Sequence, residues 1–232
     1  MRSKIFTDLY KELEDTLESK YSGQKRRYSS VIFEYINSAE SKPIRDELNL
    51  CREVRNLLTH NADLGGVPVV EPSEPLVEAL QKALEYVRRP PLALDFATSG
   101  GKIYSAGLSS RVLAVMADME KNGFSHVPII EGKRFVGVFS ISTIFACVLH
   151  DPTLNITERT TMRELGQMLP LENHKENFVF VSRETTCAAV RQMFERISGR
   201  NKRLSVVFIT EHGSKEEKLL GMVTPWDVMR EE

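Results

Sequence analysis

Apolar residues recur at every fourth position at the start of the chain. Ile5, Leu9, Leu13 and Leu17, with Phe6 and Tyr10 beside them, predict an amphipathic helix. The polar, basic stretch over 22–27 breaks it, and Val31, Ile32, Tyr35 and Ile36 begin a second helix. Pro43 is placed to open a third, in which Leu50, Val54, Leu57 and Leu58 form the apolar stripe. A segment over 63–75 with two glycines and three prolines reads as a loop. Leu76, Leu80, Ala83, Leu84 and Val87 mark a fourth helix, which Pro90-Pro91 stops. The pattern changes type after that pair, so residues 1–90 are expected to form a helical domain.

From Phe96 onward strands alternate with helices, and the alternation occurs twice. The first unit reads as a strand over 102–105 and a helix with Val112, Val115, Met116 and Met119 on one face. Two strands over 126–130 and 134–139 then flank the turn Glu131-Gly132-Lys133. The second unit reads as a strand over 178–181, a helix carrying Val190, Met193, Phe194 and Ile197, and strands over 204–210 and 219–224. Its hairpin loop over 212–218 is longer and charged. The two helical stripes superpose at an offset of 78 residues, Val112 onto Val190. A repeat of this length predicts two similar lobes packed together, not a solenoid. The expected fold class is α+β: a helical domain over 1–90, then two βαββα repeats, over 95–150 and 151–232, forming a pseudo-symmetric module.

Bulk properties narrow the function classes. A formal charge of −1 over 232 residues provides no global positive field for nucleic acid or anionic lipid. No apolar run approaches the roughly 20 residues that span a bilayer, and the N-terminus lacks the apolar core of a signal peptide. A cytoplasmic protein is expected. Cys51, Cys147 and Cys187 lie in apolar patterns without CxxC pairing and read as buried thiols, not as metal ligands or disulfides. His150, Asp151 and His174 lack metal-ligand spacing, and no metal is expected. The chain has neither a GxxxxGK[ST] nor a GxGxxG loop.

The closing string Gly221-Met222-Val223-Thr224-Pro225-Trp226-Asp227-Val228 carries candidate chemistry. A strand stops at Thr224 and an acid follows three positions later, where a helix should begin. A hydroxyl, free backbone N–H groups and a carboxylate suit a phosphorylated ribose. The same grammar occurs in Gly137-Val138-Phe139-Ser140-Ile141-Ser142-Thr143-Ile144, without the acid. A duplicated site with one degraded copy suggests sensing rather than catalysis.

With His126-Val127-Pro128-Ile129-Ile130 and a glycine turn, these strings resemble a tandem pair of CBS domains, often called a Bateman module, over roughly 95–232. The resemblance implies clefts for adenosine compounds: AMP, ADP, ATP, S-adenosylmethionine or related dinucleotides. It implies that Asp227 accepts from both ribose hydroxyls and that Thr224 bonds ribose or phosphate. The backbone of Ser205, Val206 and Val207 would read the adenine edge, with Phe178 or Val179 lining the same pocket. His126, Val127 and Pro128 lie beside the equivalent pocket, although a lone His there is more often structural. In the first repeat Ser140 keeps the hydroxyl, and Thr143 stands where the acid should be. A neutral contact is about half as strong as a charge-assisted one, so the Asp227 site is the expected stronger one. Arg183 and Arg111 are candidates for phosphate or are solvated helix-start residues. Trp226 either flanks a ligand or packs at a lobe interface, and packing is the expectation.

The helical part contains Arg55-Asn56-Leu57-Leu58-Thr59-His60. The string resembles the R-x-x-x-x-H signature of HEPN domains, four-helix units that dimerise and include metal-independent ribonucleases. That resemblance implies acid–base work for His60 and phosphorane stabilisation by Arg55, and RNA as a partner only if the domain is active. Alternatively, Arg55 pairs with an acid and His60 caps the helix C-terminus. The leading expectation is a homodimeric regulatory protein with no cofactor, binding an adenine nucleotide as regulatory ligand, read by the helical domain. The alternatives are a ligand-gated ribonuclease using Arg55 and His60, and a protein-interaction module without a small ligand.

Overall fold

A computed structural model describes residues 2–60, 68, 70–150, 155–196 and 203–229, apart from the side chains of His60, Val148 and His150. The chain forms two compact units, Met1–Pro91 and Leu92–Glu232.

The first unit is built from α1 (Arg2–Lys20), α2 (Val31–Ile36), α3 (Arg45–His60) and α4 (Glu74–Arg88). Its core joins Phe6, Tyr10, Leu13 and Leu17 of α1 to Ile32 and Tyr35 of α2, Leu48 and Cys51 of α3, and Leu80 and Leu84 of α4. Ile5, expected in the α1 stripe, is exposed. A strict four-residue spacing drifts about 40° per step on a helix of 3.6 residues per turn. The buried line therefore runs through 6, 10, 13 and 17. The α3 stripe is corrected in the same sense: Leu50 and Leu57 are exposed, while Leu48 and Cys51 are buried and Val54 and Leu58 pack on the core. Pro43 lies in a turn of 3-10 helix, Lys42–Ile44, ahead of α3. Ser30 caps α2 by accepting from the Phe33 N–H at 3.3 Å.

The second unit holds α5 (Ala93–Phe96), β1 (Thr98–Ser99), α6 (Val112–Asn122), β2 (His126–Glu131), β3 (Arg134–Ser140) and α7 (Ile141–His150). It continues with β4 (Asn177–Ser182), α8 (Cys187–Glu195), β5 (Leu204–Thr210), β6 (Gly221–Val223) and α9 (Pro225–Met229). It is a mixed helix-and-sheet unit, so the chain is a helical part followed by two repeats. β2 and β3 form an antiparallel pair, and a second sheet has the order β1-β6-β5-β4. The strand expected over 102–105 does not form. Gly100–Lys102 is a turn of 3-10 helix with Gly100 at φ +57°, and the repeat keeps only a single parallel bridge, Ala106 to Ile129. The repeat offset is also corrected. Helix caps Arg111 and Thr186 and buried pairs Val112/Cys187 and Val115/Val190 each lie 75 positions apart, where the stripe reading has 78. Ile197 of that stripe lies outside the described residues.

The two repeats exchange their leading segments. β1, which precedes the first repeat, pairs with β6 of the second, Thr98 against Met222. Reciprocally, Leu169, which precedes the second repeat, accepts from the Val138 N–H of β3 at 2.9 Å. Gly137 permits that approach, because a Cβ there would lie 2.0 Å from the Leu169 carbonyl oxygen. The thiols of Cys51, Cys147 and Cys187 are buried and free of disulfides, and burial pushes that of Cys51 up to about 12.

Candidate functional site

β6 ends at Val223, and the chain turns at Thr224 into α9. Asp227 closes that turn: its Oδ2 accepts from both the Thr224 N–H and the Thr224 hydroxyl, each at 2.8 Å. This pair of bonds to one oxygen holds the carboxylate beside the hydroxyl, the juxtaposition expected from the closing string. Both side chains are half-exposed and line a cleft of about 480 Å³. Lys102, Tyr104, Phe124, His126 and Trp226 line it as well. Tyr104 and Phe124 stack with centroids 5.5 Å apart, and the Tyr104 hydroxyl donates to Asp118 at 2.5 Å. Burial and that bond push the Tyr104 phenol up to about 12.

Trp226 does not pack at an interface within the unit; it is 68% exposed and borders the cleft. Of the other expected site residues, His126 joins Thr224 and Asp227 in this lining, whereas Val127 and Pro128 are buried in β2. The lining does not include Ser205, Val206 or Val207. Val206 and Val207 are buried in β5, and Val207 pairs with Val179 on one side and Val223 on the other. Its backbone is therefore committed to the sheet. Ser205 is the residue skipped where the β4–β5 register shifts, since Asn177 faces Leu204 and Phe178 faces Val206. Phe178 and Val179 pack in the cores of the sheet. Arg183 is paired with Glu211 at 3.3 Å, and Arg111 donates to the Glu158 carbonyl at 3.1 Å, so neither stands in the lining.

The first-repeat counterpart is built differently. Thr143 reproduces the cap, accepting from the Ser140 N–H at 3.0 Å. Ser140 and Thr143 are buried, and the Ser140 hydroxyl donates to Glu176 Oε2 at 2.8 Å. The Ser142 hydroxyl donates to the same oxygen, and His126 Nε2 lies 2.8 Å from Oε1. His174 Nδ1 stands 3.6 Å from Oε2. Burial alone would raise the Glu176 pKa. Hydrogen bonds from His126, His174, Ser142 and Ser140 outweigh it and hold the carboxyl well below the usual carboxylate range. Glu176, Lys102, Tyr104 and Phe124 were not singled out from the sequence. The pattern puts Lys102 in a strand, and Glu176 lies 36 and 34 positions from Ser140 and Ser142, whose hydroxyls donate to it, in a segment without a motif.

Among the described residues no group of three or more His, Cys, Asp or Glu could hold a metal, and no helix is long and apolar enough to cross a membrane. In the first unit, Arg55 lies 3.7 Å from Glu14 and 5.5 Å from the Tyr10 ring centre. His60 ends α3, and its side chain lies outside the described residues.

No curated protein matches the chain. Among solved structures, it is similar to Hypoxic Response Protein I with two coordinated zinc ions, at 18% identity over 61% of this chain and 98% of that one, with a TM-score of 0.42. It is similar to CBSX2 in complex with AMP, at 18% identity over 61% and 95%, TM-score 0.44. It is also similar to CbpB in complex with c-di-AMP, at 19% identity over 65% and 89%, TM-score 0.46. The family model of the CBS domain matches residues 100–150 and 173–232, one stretch on each repeat. From residue 100 onward, the chain carries a tandem pair of CBS domains.

Proposed function

We propose that the CBS pair binds an adenine nucleotide as a regulatory ligand in the Thr224–Asp227 cleft, and that the N-terminal helical unit, read as HEPN-like, carries the response. The observation that carries this reading is the half-exposed Asp227 carboxylate. Both of its bonds fall on Oδ2, so Oδ1 is left for the hydroxyls of a ribose. An ionised carboxylate is acceptor-only and suits that donor pair. The Thr224 hydroxyl gives its proton to Asp227 and keeps lone pairs for a ligand hydroxyl. Lys102 offers a cation to phosphate, and Tyr104, Phe124 and Trp226 offer flat faces to a base. The cleft, about 480 Å³, falls within the ~300–1,000 Å³ typical of small-molecule sites.

A regulatory effect requires that the nucleotide bind two states of the chain with different affinity. A homodimer of the module is supported by its apolar helix surface. Leu113, Ile141 and Phe145 are exposed, and a groove of about 640 Å³ runs between α6 and α7 past Met116 and Ile144. The ribonuclease reading has no comparable support, because Arg55 is engaged by Glu14 and Tyr10.

Calorimetry with AMP and c-di-AMP tests the nucleotide reading. A hydrogen bond to a charged group contributes about 1.5–3 kcal/mol. Asp227→Ala should therefore weaken binding roughly 10- to 100-fold. An Asp227→Ala protein that binds as tightly as the parent overturns the assignment of this cleft.

A further inference from the structure

In the first repeat the hydroxyls and ring nitrogen that surround Glu176 form a complete anion site. Protons can be assigned along the bonds of Ser140, Ser142, Thr143 and His126 without conflict. The Ser140 N–H goes to Thr143 Oγ1, the Thr143 hydroxyl to Ser140 Oγ at 3.3 Å, and the Ser140 hydroxyl to Glu176 Oε2. The Ser142 hydroxyl donates to the same oxygen. His126 gives its Nε2 proton to Oε1, and its Nδ1 accepts from the Ser125 hydroxyl at 2.8 Å. Three donors within 2.8 Å thus converge on one carboxylate, with His174 Nδ1 farther off at 3.6 Å, and two of the three come from the β3–α7 turn that matches the Thr224–Asp227 turn of the other repeat. The two turns differ in access: Ser140 and Thr143 are buried, while Thr224 and Asp227 are half-exposed.

We infer that Glu176 is a built-in occupant of the first cleft, seated where an anionic ligand would meet Ser140, Ser142 and His126, so that the chain takes one nucleotide per protomer, at Asp227. Glu176 is thereby a specificity-determining residue for the whole module. It converts a pair of pseudo-equivalent clefts into one that is self-filled and one that is open. Its counterpart segment, leading into the first repeat, contributes Lys102 to the open cleft, so the two clefts receive side chains of opposite charge from equivalent places in the chain. Removing the carboxylate leaves a half-buried, donor-rich hole. Unpaired buried donors are costly, and a small anion that restores their bonds stabilises the protein that binds it.

The count of one ligand rests on the nucleotide reading above; the occupancy of the first cleft does not, and the two are tested separately. Thermal melts of Glu176→Ala with and without acetate or inorganic phosphate test the occupancy. The parent and Glu176→Gln, whose side chain still fills the space, serve as controls for general salt effects. We expect the Glu176→Ala midpoint to rise with added anion by several degrees more than either control. Equal shifts in all three proteins overturn the inference. Calorimetry with AMP then counts sites. One equivalent in the parent, bound roughly 10- to 100-fold more weakly in Asp227→Ala, and two in Glu176→Ala are expected. Two equivalents in the parent, or one in a folded Glu176→Ala, overturn it. If Glu176→Ala does not fold, the parent count still decides. If the parent binds no AMP, the nucleotide reading fails, and the anion-rescue melt decides the occupancy on its own.

Discussion

Gly137→Ala places one methyl group at the point where the two repeats interlock. The backbone at Gly137 is not in the left-handed region, so the glycine is needed for space and not for its conformation. An added Cβ would lie 2.0 Å from the Leu169 carbonyl oxygen, 2.5 Å from its carbon and 3.1 Å from the Pro170 nitrogen. All three are backbone atoms and cannot swing aside. The Leu169–Pro170 segment must leave β3, which breaks the 2.9 Å bond from the Val138 N–H. Overpacking costs about 1–3 kcal/mol, and an orphaned buried N–H about 1–3 more. Against this, replacing Gly by Ala gains only about 0.4–1 kcal/mol from the unfolded chain. The expected loss is therefore about 1–5 kcal/mol. At about 2–4 °C per kcal/mol, that is a drop on the order of 10 °C in the melting transition of the second unit. Gly221→Ala is the control. Its Cβ would meet Leu94 Cδ1 at 3.0 Å, the end of a side chain that can rotate, and Ala97 Cβ at 3.2 Å, where a shift of a few tenths of an ångström suffices. A loss below about 1.5 kcal/mol is expected there. Calorimetric or denaturant unfolding of both variants reads the difference. A Gly137→Ala protein as stable as the parent, or no worse than Gly221→Ala, refutes the interlock.

Ile141→Glu and Phe145→Glu place charges on the exposed apolar face of α7 without touching the core. Light scattering after size exclusion should find the variants monomeric and the parent dimeric; an unchanged mass excludes this face as the interface. Acid unfolding should report Glu176. Its folded pKa is depressed, so its contribution is fully present above the usual value near 4.5 and is lost as pH falls below it toward the folded pKa. The second unit should lose stability more steeply below that pH in the parent than in Glu176→Gln, and parallel curves contradict the bonding at Glu176.

Much of this architecture is legible in the sequence because it rests on local patterns. The helix stripes, the hairpin turn at Gly132 and the two Gly-x-x-[ST] strings each follow from short-range periodicity or sterics. The Thr224–Asp227 pair is legible for the same reason: its cap spans three positions. The misreadings have two physical origins. Ile5, Leu50 and Leu57 fit an apolar spacing but fall off the buried line, since a stripe drifts around a helix and only packing selects its centre. Glu176, Lys102 and Phe124 owe their places to tertiary crossings. Glu176 reaches Ser140 from 36 positions away, and Lys102 joins the cleft of Thr224 only because β1 is inserted beside β6. No periodicity encodes such a crossing. Ser205 to Val207, expected to read adenine, lie outside the cleft lining, and β5 is paired on both sides at Val207.

The exchange of leading segments bears on how such a duplicated module comes into being during synthesis. As the chain emerges, the first repeat is complete in sequence well before Leu169 is made, and until then the Val138 N–H of β3 has no mate. β1, already made, waits for a strand more than 100 positions downstream. Neither half can therefore finish alone, and the whole second unit should fold as one late, cooperative event. A nascent chain halted between the repeats would present a bare strand edge, the surface on which proteins aggregate. For this fold, duplication has produced two halves that complete each other instead of two copies that each suffice.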